Sequence, residues 1–82
     1  MHATSMLWRY ALENGCRRSI RLSAIEEMAF SPEERYDGSK LEAHWSVRFS
    51  SGHQHLNFPK ELGDNLHEAW LKHLEIEANR GR

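Results

Sequence analysis

The sequence contains a single cysteine, Cys16, among its 82 residues. One thiol cannot form an internal disulfide, which excludes the disulfide-stapled scaffolds of small secreted domains. No apolar run approaches membrane-spanning length, and no basic segment followed by an apolar one marks a secretory signal near the N-terminus. These absences predict a cytoplasmic protein that does not contact a membrane.

Motifs that carry catalysis are also missing. The chain has no Gly-x-Ser-x-Gly elbow, no glycine-rich phosphate loop and no dinucleotide fingerprint. The only thiol lies beside a predicted turn, where the strand register directs Cys16 towards the core as a small apolar residue. We therefore predict that the protein is not an enzyme and uses no cofactor.

The six histidines raise the question of a metal site. His53 and His55 lie two residues apart on a predicted strand and so share a face, with His44 near them. Structural zinc needs four ligands, and the sequence has neither a cysteine pair nor a His-Glu-x-x-His spacing. His67 and His73 are six residues apart on a predicted helix, which places them on different faces. We predict no metal.

Charge and length limit the remaining possibilities. Eleven basic and twelve acidic residues give a formal net charge of −1, which excludes a strongly basic protein but allows a local basic patch. A chain of 82 residues forms one domain with a small core. Added stability from a bound partner or from a homodimer is therefore reasonable. Residues 1–5 and 79–82 are expected to fray.

The strongest structural signal is the segment Leu41–Ser50. Its apolar residues alternate with polar ones, which is the period of a strand with one dry and one wet face. A turn at Ser51-Gly52 then leads into a partner strand that ends at Phe58. A two-residue loop sets Val47 opposite Leu56, Trp45 opposite Phe58, Arg48 opposite His55, Phe49 opposite Gln54 and Ser50 opposite His53.

A second hairpin is predicted at the start of the chain. Strands over 6–12 and 16–22 flank Asn14-Gly15, a strong hairpin signal. A three-residue loop with Gly15 in the left-handed region sets Trp8 opposite Ile20 and gathers nearly every apolar residue on one face.

The segment between the hairpins is less regular. Ser23 and Glu26 match a helix capping box, which predicts one helical turn followed by a short strand over Glu27–Phe30. A two-turn helix over Ala24–Ala29 is the alternative. The polar residues 31–40 predict a loop.

One helix is predicted from Pro59 to about Ala78. Gly63 weakens its first turn, so Asp64 or Asn65 is expected to begin the regular helix. Its apolar stripe consists of Leu62, Leu66, Ala69, Trp70, His73 and Leu74. The predicted fold class is therefore α+β, with an antiparallel sheet of two β-hairpins and a short middle strand or helical turn, packed under one C-terminal helix. On the sheet side, the residues predicted to form the core are Met6, Trp8, Tyr10, Ile20, Leu22, Trp45, Val47, Phe49, Leu56 and Phe58.

The wet face of this sheet is the predicted binding surface. It collects the partner-binding candidates Arg9, Arg17, Arg21, Arg48, His53 and His55. Acidic residues are expected elsewhere, in residues 26–37 and on the helix. The net charge is therefore near zero although basic and acidic side chains lie on different surfaces. An ordinary solvated sheet face explains the same pattern.

We expect a small regulatory module of the inhibitor or adaptor type, docking an acidic protein surface through these residues. Its composition is compatible with a phage or mobile-element origin. The alternative is a weak nucleic-acid-binding protein that uses the same face. Against it, the aromatic side chains point inward and cannot stack on bases. Leu71 and Ile76 fall off the helix stripe and predict a secondary partner or dimer surface.

Overall fold

The computed structural model describes residues 6–50, Gly52 and residues 55–80. Within these residues, strands and one 3-10 turn precede a single α-helix: β1 (Leu7–Ala11), β2 (Arg17–Arg21), the 3-10 turn Leu22–Ala24, β3 (Ile25–Ser31), β4 (Glu34–Tyr36), β5 (Ser39–Leu41), β6 (His44–Phe49), β7 (His55–Pro59) and α1 (Lys60–Arg80). Every strand pair is antiparallel. The predicted α+β class, with antiparallel sheets and one C-terminal helix, is confirmed.

The first hairpin has the predicted register. Trp8 lies opposite Ile20 across β1 and β2. Gly15 has a φ of +88°, in the left-handed region that glycine adopts without a Cβ clash, and its N–H donates to the Leu12 carbonyl at 2.9 Å. The three-residue loop is therefore confirmed.

The inner face of this hairpin joins the core only along part of its length. Tyr10 is buried, and its ring stacks on Trp8 and meets the edge of Phe58 at 5.3 Å. Leu12 and Cys16 are exposed, because the described elements do not cover the loop end of the hairpin. The prediction that Cys16 faces the core is wrong.

A separate three-stranded sheet has the order β3-β6-β7. The predicted register holds where it is described, since Trp45 lies opposite Phe58 and Arg48 opposite His55. The predicted strand Leu41–Ser50 is too long, because β6 begins at His44 and Leu41 belongs to β5.

The middle segment supplies the third strand of that sheet. The predicted order of one helical turn followed by a strand is confirmed, but the turn is a 3-10 turn over Leu22–Ala24 and the strand covers Ile25–Ser31, longer than the predicted Glu27–Phe30. The alternative helix over Ala24–Ala29 is wrong. The capping box is not formed, since Ser23 lies inside the 3-10 turn and no side chain caps it. Pairing with β6 sets Phe30 opposite Trp45 on the dry face.

The predicted loop over residues 31–40 contains a third hairpin, formed by β4 and β5. Asp37 and Gly38 have φ values of +47° and +81°, as the two central residues of a type I′ turn require. The predicted loop is therefore wrong for residues 34–40: the Asp37-Gly38 pair is a recognised hairpin signal, although the residues around it are polar.

The helix α1 begins at Lys60, earlier than Asp64 or Asn65, and it still includes Asn79 and Arg80. Gly63 does not delay the helix; it lies buried against the indole of Trp45. Leu66 is fully buried, whereas Leu74, predicted as core, is 43% exposed.

The core lies between the inner hairpin face, the three-stranded sheet and α1. Its buried apolar residues are Tyr10, Ile20, Leu22, Ile25, Val47, Phe58 and Leu66. Ile25 was not predicted, and Met6, predicted as core, is 38% exposed. The molecule is elongated, with extents of 55 × 29 × 23 Å, so much of its apolar surface remains outside. No helix in the described ranges is both long and apolar enough to cross a membrane.

Candidate functional site: the basic ribbon

Strand alternation places three arginines on the outward face of the first hairpin. Arg9 lies opposite Ser19, Arg17 opposite Ala11, and Arg21 opposite Leu7. Arg9 is diagonal to both Arg17 and Arg21, and diagonal neighbours on one face lie about 7–8 Å apart, whereas Arg17 and Arg21 are about 13 Å apart along β2. The three arginines therefore form one group on this face, with Arg9 between the other two. We call the outward face carrying Arg9, Arg17 and Arg21 the basic ribbon.

The arginines of the basic ribbon are exposed. Within the residues that the structure describes, none of the three forms an ion pair; the ion pairs found there involve other basic side chains. Each guanidinium carries five N–H donors in a planar fork suited to carboxylate or phosphate. The basic ribbon therefore presents its donors to solvent.

The hairpin surface also carries an open depression of about 380 Å³. Its lining residues are Arg9, Tyr10, Ala11, Arg17, Arg18 and Ser19. Sites for small ligands are usually concave and bury most of the ligand. A depression this open suits contact with a macromolecular surface better than it suits enclosure of a small molecule.

Arg48 is placed differently from the ribbon arginines. It lies in the three-stranded sheet, where its Nη1 is 3.0 Å from Glu26 Oε1 and its Nε donates to Glu27 Oε1 at 3.4 Å. The prediction that all four arginines share one sheet face is wrong, because the two hairpins belong to separate sheets. Glu26 and Glu27 do not lie away from the wet face either, since β3 pairs with β6. A binding role for Arg48 stays a prediction.

The predicted histidines give no further support to the site. His55 is exposed and lies opposite Arg48, away from the basic ribbon. His53 lies outside the described residues, as do the predicted pairings of Gln54 with Phe49 and of His53 with Ser50. In the part of the chain that the structure describes, no three His, Cys, Asp or Glu side chains converge as metal ligands would.

The two residues of the predicted secondary surface, Leu71 and Ile76, lie on different faces of α1. Leu71 and Ile76 are both exposed, at 49% and 47%. Five residues separate them, which is about 140° around a helix of 3.6 residues per turn, so they do not share a face. Leu71 instead shares a face with Leu74, three residues further on. Sequence reasoning missed Leu74 by assigning it to the core.

An aromatic row crosses from the sheet to α1. The Trp45 ring lies 5.3 Å from Phe30 and 4.5 Å from His67, and His67 lies 6.2 Å from Trp70. Phe30, at the sheet edge, is 42% exposed. This row depends on the pairing of β3 with β6, so no local sequence signal could have predicted it.

Asp64 holds Trp45 within this row. Its Oδ1 accepts the Trp45 indole N–H at 2.8 Å, and its Oδ2 accepts from Lys60 Nζ at 2.8 Å. The hydrogen bond from Lys60, followed by the bond from Trp45, lowers the pKa of the Asp64 carboxyl below 3.8. The ionised form is therefore the one that holds Trp45 and Lys60.

This arrangement makes part of the stability pH-dependent. A carboxyl whose pKa is lowered by folding stabilises the protein above pH 3.8, and that contribution is lost as the pH falls through the lowered folded value. We expect Asp64→Asn to be less stable than the wild type at neutral pH. The stability difference should shrink on acidification below pH 3.8. Urea titrations of both proteins across that range measure it, and a difference independent of pH would contradict the role given to Asp64.

The chain matches no protein-family model, and comparisons with curated proteins and with solved structures give no significant match. A function for this chain therefore has to be inferred from the geometry and charge of its own surfaces.

Proposed function

We propose that the protein is a small non-enzymatic binding module that docks an acidic surface of a partner protein through the basic ribbon. The single observation that carries this proposal is the cluster of Arg9, Arg17 and Arg21, exposed and without ion-pair partners among the described residues. Arginine contacts to carboxylates are charge-assisted and often bidentate, which gives both attraction and orientation. The partner site would therefore expose clustered Asp or Glu side chains.

A nucleic acid is the second candidate partner. The basic ribbon belongs to a two-stranded antiparallel hairpin, an element that the major groove of B-DNA can admit. The outward face has no aromatic residue, because Trp8 and Tyr10 pack inward beside Phe58. Stacking on single-stranded bases is therefore not available there, and this alternative is confined to duplex phosphates and groove edges.

Charge reversal on the basic ribbon tests the proposal. We expect the Arg9→Glu, Arg17→Glu double variant to keep its fold, because both side chains are exposed. Partner affinity should fall roughly tenfold or more, because two charge-assisted contacts become repulsive. The matched control is Arg35→Glu with Arg80→Glu, which makes the same change of net charge at two exposed arginines outside the basic ribbon, one on the β4–β5 hairpin and one at the end of α1. Affinity purification from the native host with the wild type and both variants, followed by mass spectrometry, gives the comparison.

Recovery of the same partner by the ribbon variant and by the wild type would show that the basic ribbon is not the docking face.

Salt dependence separates the two partner classes. Neutralising about three phosphates predicts roughly a 40-fold loss of DNA affinity between 50 and 200 mM salt. A protein complex with hydrogen-bonded and apolar contacts at its centre should weaken less. Tight, salt-sensitive binding of arbitrary duplex DNA would favour the nucleic-acid alternative.

A further inference from the structure

A second surface, on α1 and the adjoining sheet edge, has chemistry opposite to that of the basic ribbon. Leu71 and Leu74 project from one face of the helix and are 49% and 43% exposed. The aromatic row continues this apolar surface through the half-buried Trp45 and His67 to the exposed Phe30. Exposed apolar side chains that adjoin one another are characteristic of contact surfaces.

A line of glutamates borders this apolar surface. Glu61, Glu68 and Glu75 recur every seven residues, so they lie along one side of α1, about 40–80° around the helix from Leu71. All three are exposed, and none forms an ion pair within the described ranges. From Glu61 to Glu75 the line is about 21 Å long, the length of a helix of about four turns. We call the apolar surface with these glutamates the acidic strip.

We propose that the acidic strip binds a basic amphipathic helix of a partner protein. The apolar row of that helix would cover Leu71, Leu74 and Phe30, and its flanking lysines or arginines would face the line of glutamates. An apolar stripe beside charges of one sign is the pattern used when a helix docks in a groove. The strip lies on a different element from the basic ribbon and requires a partner of opposite charge, so it is a separate interaction surface.

Charge excludes the same helix of a second copy as the occupant. With Leu71 and Leu74 at the centre of a helix pair, Glu61, Glu68 and Glu75 occupy one flanking position of successive heptads. In an antiparallel pair these glutamates would face the same glutamates of the other copy. In a parallel pair they would face Gly63 and Trp70, which supply no positive charge. Neither orientation neutralises the glutamate line.

Two synthetic peptides of about three heptads test this inference on the full chain. Both carry leucine at positions a and d; one carries lysine at e and g, the other glutamate. Trp45 and Trp70, beside the strip, provide a fluorescence signal that complements calorimetry. We expect the lysine peptide to bind at least about tenfold more tightly than the glutamate peptide, because only the former offers charges opposite to the glutamate line.

Variants then assign the binding to the strip. Glu68→Lys with Glu75→Lys should lower the affinity for the lysine peptide at least about tenfold and raise the affinity for the glutamate peptide, because the charge complementarity is exchanged. The control Glu13→Lys with Glu42→Lys makes the same change of net charge at exposed glutamates outside the helix. Leu71→Ser should also lower the affinity for the lysine peptide. Ile76→Ser should not, because Ile76 is about equally exposed but lies on another face of the helix.

Three results would overturn the inference. Equal affinity of both peptides would show that charge does not select the partner. Equal effects of the strip and control variants would show that binding is not on this face. Sedimentation equilibrium showing a dimer that Leu71→Ser dissociates would assign the apolar surface to a second copy. The Arg9→Glu, Arg17→Glu variant should bind the lysine peptide as the wild type does.

Discussion

Replacing Gly63 by alanine is expected to destabilise the protein by about 2 kcal/mol, although alanine is the better helix former by about 1 kcal/mol. A Cβ at this position would overlap the Cδ1 and Cγ atoms of Trp45 and lie 2.7 Å from its Cβ. The indole cannot move aside without losing its hydrogen bond to Asp64 and its stack on His67. Overpacking of this kind costs up to about 3 kcal/mol, which outweighs the propensity gain.

The melting temperature should therefore fall by about 8–16 °C in a domain of this size. Asn65→Ala provides the control, because it places alanine on an exposed position of the same helical turn. That substitution should leave the melting temperature unchanged or raise it slightly. A Gly63→Ala protein as stable as the wild type would show that α1 does not approach Trp45 as closely as the structure indicates.

Trp45→Ala is expected to have the largest effect on stability, about 3 kcal/mol. Large aromatic-to-alanine changes in cores cost about 3–5 kcal/mol, and the low end applies because Trp45, predicted to be a buried core residue, is half-buried. The substitution removes the contacts with Phe30 and His67 and leaves Asp64 without its indole donor. Urea unfolding measures the loss. Trp45→Phe, which keeps a ring but lacks the N–H, should cost less.

The two substitutions should be strongly coupled. In the Trp45→Ala background the ring atoms Cδ1 and Cγ that overlap a Cβ at position 63 are gone, and only the contact with the Cβ of residue 45 at 2.7 Å remains. Gly63→Ala should then cost clearly less than the about 2 kcal/mol expected in the wild type, because most of the overpacking is removed while the gain in helix propensity stays. A double-mutant cycle measures this coupling. Additive effects would contradict the direct packing of Gly63 on Trp45.

Much of the fold follows from local patterns in the sequence. Alternation of apolar and polar residues determines which side chains share a strand face, because successive residues of a strand point to opposite sides. That rule, with Gly15 in the left-handed region, was enough to set Trp8 opposite Ile20 and to place Arg9, Arg17 and Arg21 together. The helix period likewise identified Leu66 as a residue facing the core.

The sequence also contains a hairpin signal, the Asp37-Gly38 pair, inside a segment whose polar residues favour a loop. Asp37 and Gly38 form the turn of the β4–β5 hairpin, yet the charged residues around them favoured a loop. Turn chemistry acts over two residues and does not require an apolar face, so a hairpin that lies outside the core leaves only that short signal.

What the sequence by itself determined is therefore the register of two hairpins, the single helix and the cluster of three arginines on the basic ribbon, all of which depend on neighbours close in the chain. Only the tertiary structure decided which strands share a sheet. It separated Arg48 from the ribbon and paired it with Glu26 and Glu27, exposed Leu74, and brought Gly63 against Trp45. Those outcomes depend on contacts between residues distant in sequence, where many pairings satisfy the same local pattern and the packing of the whole chain selects one.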